Sequence, residues 1–217
     1  ELPELAVCSA GSHIGIALTP TSFPVGKVEQ LTLYPMTFHE FLIEHHEYLV
    51  ESYHLFDISE LEHGLLWEAY LDYLFCGGMP EAVANFKNEL SFIKEVRSIQ
   101  KNLIKSYCYD FSRYSGAQNG SHLLATYMNI PSQLEASNDG PVSRFRFKGI
   151  LPNRSKYAQF KGPIDWLRTI ELVHCNNRVA KMEPPLKGYA KENMFKLFWH
   201  DVGLLHRQLD IQYLQVA

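Results

Sequence analysis

Apolar and polar positions change rhythm twice along the chain. Up to Met36 the apolar residues come in short runs. "LAVC" (5–8) and "QLTLYPM" (30–36) read as buried strands, separated by the Gly-, Ser-, Thr- and Pro-rich "SAGSHIGIALTPTSFPVGK". Two strands cannot bury their faces in isolation, so this reading requires further strands beside them. From Thr37 the period becomes helical. Thr37 with Glu40, and Ser59 with Glu62, each form a capping-box signature ahead of an amphipathic run. The second run ends at Gly77-Gly78, and Pro80 opens a third helix at a favourable first position. Residues 90–114 predict one long amphipathic helix or two, followed by a loop around Gly116 to Gly120.

Beyond that loop the runs shorten. "SHLLATYMN", "PSQLEAS" and "SKYAQFKGPIDWLRTI" predict three helical stretches, and 171–180 and 193–202 predict two strands. Three helices followed by a two-strand ribbon is the order of a winged helix-turn-helix. The connection "KMEPPLKGYAKE" has the charge and prolines of a solvent-facing wing. The fold class expected is therefore α+β and mainly helical.

Charge divides the chain in the same place. Residues 1–92 hold two lysines against 14 acids, a net of -12, whereas 141–196 hold 12 Lys or Arg against four acids, a net of +8. A split of this size suits either a polyanion partner for the second half or two surfaces that attract each other. No apolar run approaches the ~18 residues of a membrane span. The four cysteines are isolated and form no C-x-x-C pair, which fits a reducing cytoplasm.

Few residues invite chemistry. Gly26-Lys27 suggests a phosphate loop, but a P-loop needs a glycine five residues earlier and a hydroxyl residue afterwards. Thr21 and Val28 occupy those positions. "HEFLIEHHE" lacks the second histidine of a zinc helix, because Ile43 stands there. Glu51 to His54 and Glu60 to His63 share the Glu-x-x-His spacing of di-iron bundles, but they lie a short loop apart and lack the two further glutamates. The sequence supplies no catalytic group and no metal site.

The phrases "AGSHIGIAL", "SFPVGKVEQLTLYPMTFHEFL", "GGMPEAV", "DFSRY", "IPSQLEAS" and "PPLKGYAKENMFKLFWHDVGLL" occur in that order. Together they resemble a large family of bacterial and archaeal predicted AAA-type ATPases. Its members carry a P-loop domain, a helical region, a winged helix and a C-terminal restriction-endonuclease-like domain of unknown function. The resemblance covers nearly the whole chain and implies that it spans the middle of such a protein. On that reading residues 1–36 hold residual P-loop ATPase strands, 37–115 a helical lid, 116–205 the winged helix and 206–217 a tail. ATP and Mg are implied for the full-length family and no cofactor for this chain. Ser12 reads as a loop serine, and the resemblance implies the polar position that faces the γ-phosphate in the complete ATPase.

The winged-helix match assigns 155–170 as a recognition helix, whose N-terminal part would enter the major groove. Arg154, Lys156, Lys161 and Arg168 would then contact phosphates, joined by Arg144, Arg146 and Lys148 on the basic face of "RFRFK". Gly162-Pro163 inside that helix is a departure, because an interior proline costs ~3 kcal/mol or kinks the helix. Expected partners are DNA and a second copy paired through the N-terminal strands, with no membrane. The competing expectation is an interaction module with no nucleic-acid role, as winged helices also serve as protein docks.

Overall fold

The computed structural model describes residues 6–8, 11, 29, 31–55, 57–87, 92–136 and 144–213, with 114–118 described by backbone alone. Ser12 and Lys27 lie outside the described residues. Helix α1 (Phe38–His45) leads through a 3-10 turn into α2 (Val50–His54), then α3 (Glu60–Cys76) and α4 (Pro80–Ala84). A long helical stretch, α5 (Phe92–Glu135), precedes α6 (Lys161–Thr169), strands β1 (Val173–Val179) and β2 (Ala190–Trp199), and α7 (Val202–Gln208). The protein is mainly helical, with a small two-stranded sheet.

Local signals set several boundaries. Thr37 and Ser59 each accept from the backbone N–H three residues on, while Glu40 and Glu62 reach back to the cap N–H, closing both capping boxes. Gly77 ends α3 at φ 73°, a left-handed conformation that a side chain disfavours.

No strand forms in the described part of either N-terminal run. Residues 6–8 and 31–36 lie in no strand, and Leu31 and Leu33 are 82% and 97% exposed. An alternating apolar run becomes a strand only where another backbone pairs with it. Among the described residues none does, apart from the single bond that Met36 N–H donates to Gly78 O at 2.7 Å.

The loop expected near Gly116 is also different. Helical backbone continues through 116–120 and through Pro131 to Glu135, merging three of the expected helical stretches. Yet α5 is not straight. Phe111 and Tyr127 have ring centroids 5.3 Å apart, although 16 residues of straight helix span ~24 Å. A Cβ placed on Gly120 would lie 2.9 Å from Phe111 O. The chain therefore folds back between Ser112 and Gly120, and the two arms of α5 pack against each other.

That reversal joins two cores. The first arm packs Phe92, Val96 and Ile99 with Phe41, Phe75 and Phe86 from the acidic helices. Beyond it, Phe111, Leu123 and Tyr127 meet Phe160, Leu167, Phe195 and Trp199 of the basic half. Met79 and Leu103 touch both groups. The C-terminal residues close the join. Tyr213 packs on Phe75 and Phe92 at 5.1 and 5.7 Å and donates to Asp72 at 2.6 Å, while Arg97 lies 3.9 Å over the Phe75 ring. Among the described residues no helix is long and apolar enough to cross a membrane.

Candidate nucleic-acid interface

The strand pair fixes the scaffold of the basic half. β1 and β2 run antiparallel from Val173 opposite Trp199 to Asn177 opposite Phe195, with an irregularity before Val179 meets Ala190. Beside β2 runs "RFRFK". It is extended rather than a full strand, held by one bond from Phe145 N–H to Phe195 O at 2.7 Å. Phe145 is buried and stacks on Phe195, and Phe147 stacks on Phe160. Alternation then turns Arg144, Arg146 and Lys148 outward. The Gln133 amide fixes the run by donating to Arg146 O at 2.8 Å and accepting from Arg146 N–H at 2.7 Å.

The helix expected over 155–170 begins later than that range. A 3-10 turn, Tyr157–Gln159, precedes α6, whose first residue is Lys161. Pro163 therefore sits in the first turn, where a missing N–H leaves no intrahelical bond unmade, and the expected proline penalty does not arise. The exposed surface of α6 is nearly neutral. Lys161 pairs with Glu192 at 2.5 Å, and Arg168 lies 3.7 Å from Asp165. The hydrogen bond from Lys161 holds the Glu192 carboxyl below its ordinary range and pushes the Lys161 ammonium up.

Arg154 is half-buried and turns to α5, where its Nη1 donates to His122 Nδ1 at 3.3 Å. Burial first and the guanidinium second hold His122 below its ordinary value, so the ring accepts as neutral imidazole. Lys156 is exposed. Of the seven cations expected at the interface, Arg144, Arg146, Lys148 and Lys156 face solvent without an acid partner among the described residues. The other three are engaged with side chains of the protein itself.

The hairpin supplies cations that the sequence reading had not singled out. Arg178, Lys181, Lys187 and Lys191 are exposed along β1, the 180–189 connection and the start of β2. Lys181 lies 5.8 Å over the Tyr189 ring. Their only signal was the +8 balance of the segment and the charged, proline-bearing connection.

Around the Glu-x-x-His spacings, neighbouring side chains are bonded within the protein. Glu62 caps α3 and accepts from Ser52 at 2.8 Å, and its hydrogen bonds with Ser59 lead in lowering its carboxyl to about 2. His54 and His39 share one hydrogen bond between their Nε2 atoms at 3.2 Å. Among the described residues no group of three or more His, Cys, Asp or Glu is placed to hold a metal.

Residues 68–215 match a family described as a domain of unknown function, DUF8612. The chain belongs to that family. No curated protein and no solved structure matches it. The DUF8612 region begins within α3 and ends beyond Tyr213, so it takes in the reversal of α5, the hairpin and the contacts that bring the C-terminal residues back onto α3.

Proposed function

We propose that this DUF8612 chain is the helical and winged-helix part of a predicted AAA-type ATPase, and that it holds duplex DNA by its phosphates. The observation that carries this reading is the set of basic side chains on the 144–156 run and the hairpin that have no acid partner among the described residues. The competing use of the charge, attraction between the two halves, has little support. The three ion pairs found among the described residues all lie within 161–210, and none reaches the acidic helices. The order of α6, β1 and β2 fits a winged helix in which the wing and the "RFRFK" run do more than the helix. Contacts of this kind position a protein on a duplex without reading its sequence. The sequence holds no GxxxxGK[ST], so the proposal gives this chain no ATP-hydrolysing role of its own.

Fluorescence anisotropy with a labelled duplex at two salt concentrations tests this. Each phosphate neutralised contributes about -0.9 to the slope of log K against log salt. Changing Arg144, Arg146 and Lys148 together to Ala should weaken binding to any duplex and flatten the slope by about two to three units. The same change at Arg178, Lys181 and Lys187 should do likewise. Lys161→Ala with Arg168→Ala should have less effect, because acids already neutralise both. Wild-type protein that fails to bind at either salt would remove DNA from the proposal.

A second reading rests on the acidic helices. Phe38 contacts Tyr53 and Tyr70, Tyr70 contacts Trp67, and Tyr48, Leu61 and Trp67 are 69%, 74% and 54% exposed. An apolar face of this kind, rimmed by glutamates, suits a protein partner, a second copy of the chain included. Sedimentation equilibrium of wild type against Trp67→Lys with Leu61→Lys tests self-association there. A monomer at every concentration excludes the second copy.

A further inference from the structure

The two arms of α5 and the end of α7 enclose a groove of about 550 Å³, within the ~300–1,000 Å³ of small-molecule sites. Its floor is apolar, formed by Ile104, Cys108, Leu124 and Met128. Its rim is cationic. Lys101 and Lys105 stand one turn apart on the first arm, both exposed, with no acid partner among the described residues. Like charges at that spacing repel. Arg207 faces them from α7 and has one carboxylate, Asp210, at 3.1 Å. Three cations against one acid leave the groove positive by two charges. The excess extends inward, because Arg207 also acts on Arg97, whose guanidinium burial first and Arg207 second lower to about 10. The Arg207 Nε is itself buried without a hydrogen-bond partner among the described residues.

We propose that this groove binds an organic anion with an apolar body, of the class of a medium-chain carboxylate. The carboxylate lies between Lys101, Lys105 and Arg207, and the hydrocarbon covers Leu124, Met128 and Cys108. A bound anion relieves the repulsion between the lysines, and the tail removes apolar floor from water. The site is separate from the DNA-binding surface proposed above and does not depend on it.

Cys108 provides a reporter inside the groove, and the exposed Cys8 provides an internal control. Burial pushes the Cys108 thiol up, so iodoacetamide labelling is run at alkaline pH and read at each cysteine by mass spectrometry. Decanoate should slow labelling of Cys108 about tenfold at saturation and leave Cys8 unchanged. Decyltrimethylammonium and inorganic phosphate should protect neither. The Lys101→Ala with Lys105→Ala variant should need about tenfold more decanoate, as expected for loss of charge-assisted contacts. Both lysines are exposed, so its melting curve should match wild type. Leu124→Trp, which fills the groove, should abolish decanoate protection in a protein that still melts cooperatively. Equal protection by the cationic amphiphile would sink the proposal, as would protection by phosphate alone. Failure of decanoate to protect Cys108 would overturn it directly.

Discussion

Replacing Asp201 with Ala should be among the most destabilising single changes in the molecule, although Asp201 belongs to no proposed site. The residue is 4% exposed and caps α7. Its Oδ1 accepts from Leu204 N–H at 2.8 Å, and its Oδ2 accepts from Gly78 N–H at 2.7 Å, 123 positions away. One carboxylate thus holds the start of α7 against the turn that ends α3. Truncation removes a helix cap, typically about 1 kcal/mol, and orphans the buried Gly78 N–H, about 1–3 kcal/mol. Burial raises the Asp201 carboxyl while its backbone hydrogen bonds pull it down, so part of this loss is offset by no longer burying a charge. The net expectation is about 2–4 kcal/mol, or roughly 5–15 °C in Tm for a chain of this length. Asp201→Asn keeps one acceptor where two are used and should fall between Ala and wild type. Urea unfolding gives the free energies, and amide exchange at Gly78 supplies a local readout that should accelerate in both variants. An Ala variant within about 0.5 kcal/mol of wild type, or unchanged exchange at Gly78, would refute the reasoning.

Other expectations follow from buried groups. His200 donates from Nδ1 to Leu172 O at 3.2 Å, and burial is the main cause lowering its pKa from 6.5 to about 4. Between those values the unfolded chain binds the extra proton, so stability present above pH 6.5 should fall by up to about 3 kcal/mol as the pH drops to 4. His200→Gln should flatten that part of the stability profile, and an unchanged slope would count against the assignment. Tyr127 is fully buried, and its hydroxyl has no partner among the described residues, so Tyr127→Phe should be neutral or stabilising by about 1 kcal/mol in a thermal melt. Gly78→Ala would place a Cβ 2.0 Å from Met36 O, a backbone atom, and should cost about 3 kcal/mol or more by urea unfolding. A mild effect there would mean that the 31–36 segment does not lie against Gly78.

What the sequence determined by itself was local. Both capping boxes, the glycine stop at Gly77, the proline start at Pro80 and the two strand runs of the hairpin were legible because each depends on residues a few positions apart. The outward turn of Arg144, Arg146 and Lys148 was legible too, as simple alternation. The tertiary structure decided everything that needed a distant partner. Gly116 to Gly120 read as a loop, whereas the structure carries helical backbone through 116–120, and the meeting of Phe111 with Tyr127 shows that α5 folds back there. Lys161 and Arg154 look alike as basic residues near a helix start, yet one is matched to Glu192 on β2 and the other to His122 on α5. The run 31–36 has the pattern of a strand and forms none, because among the described residues no strand lies beside it. The anion groove was equally hidden. Lys101 and Lys105 read as ordinary helix-surface charges until the reversal of α5 brings Leu124 and Met128 beneath them, and the return of α7 sets Arg207 across the gap. A cap is a bond between near neighbours in sequence, whereas a site is a meeting of residues that only folding brings together.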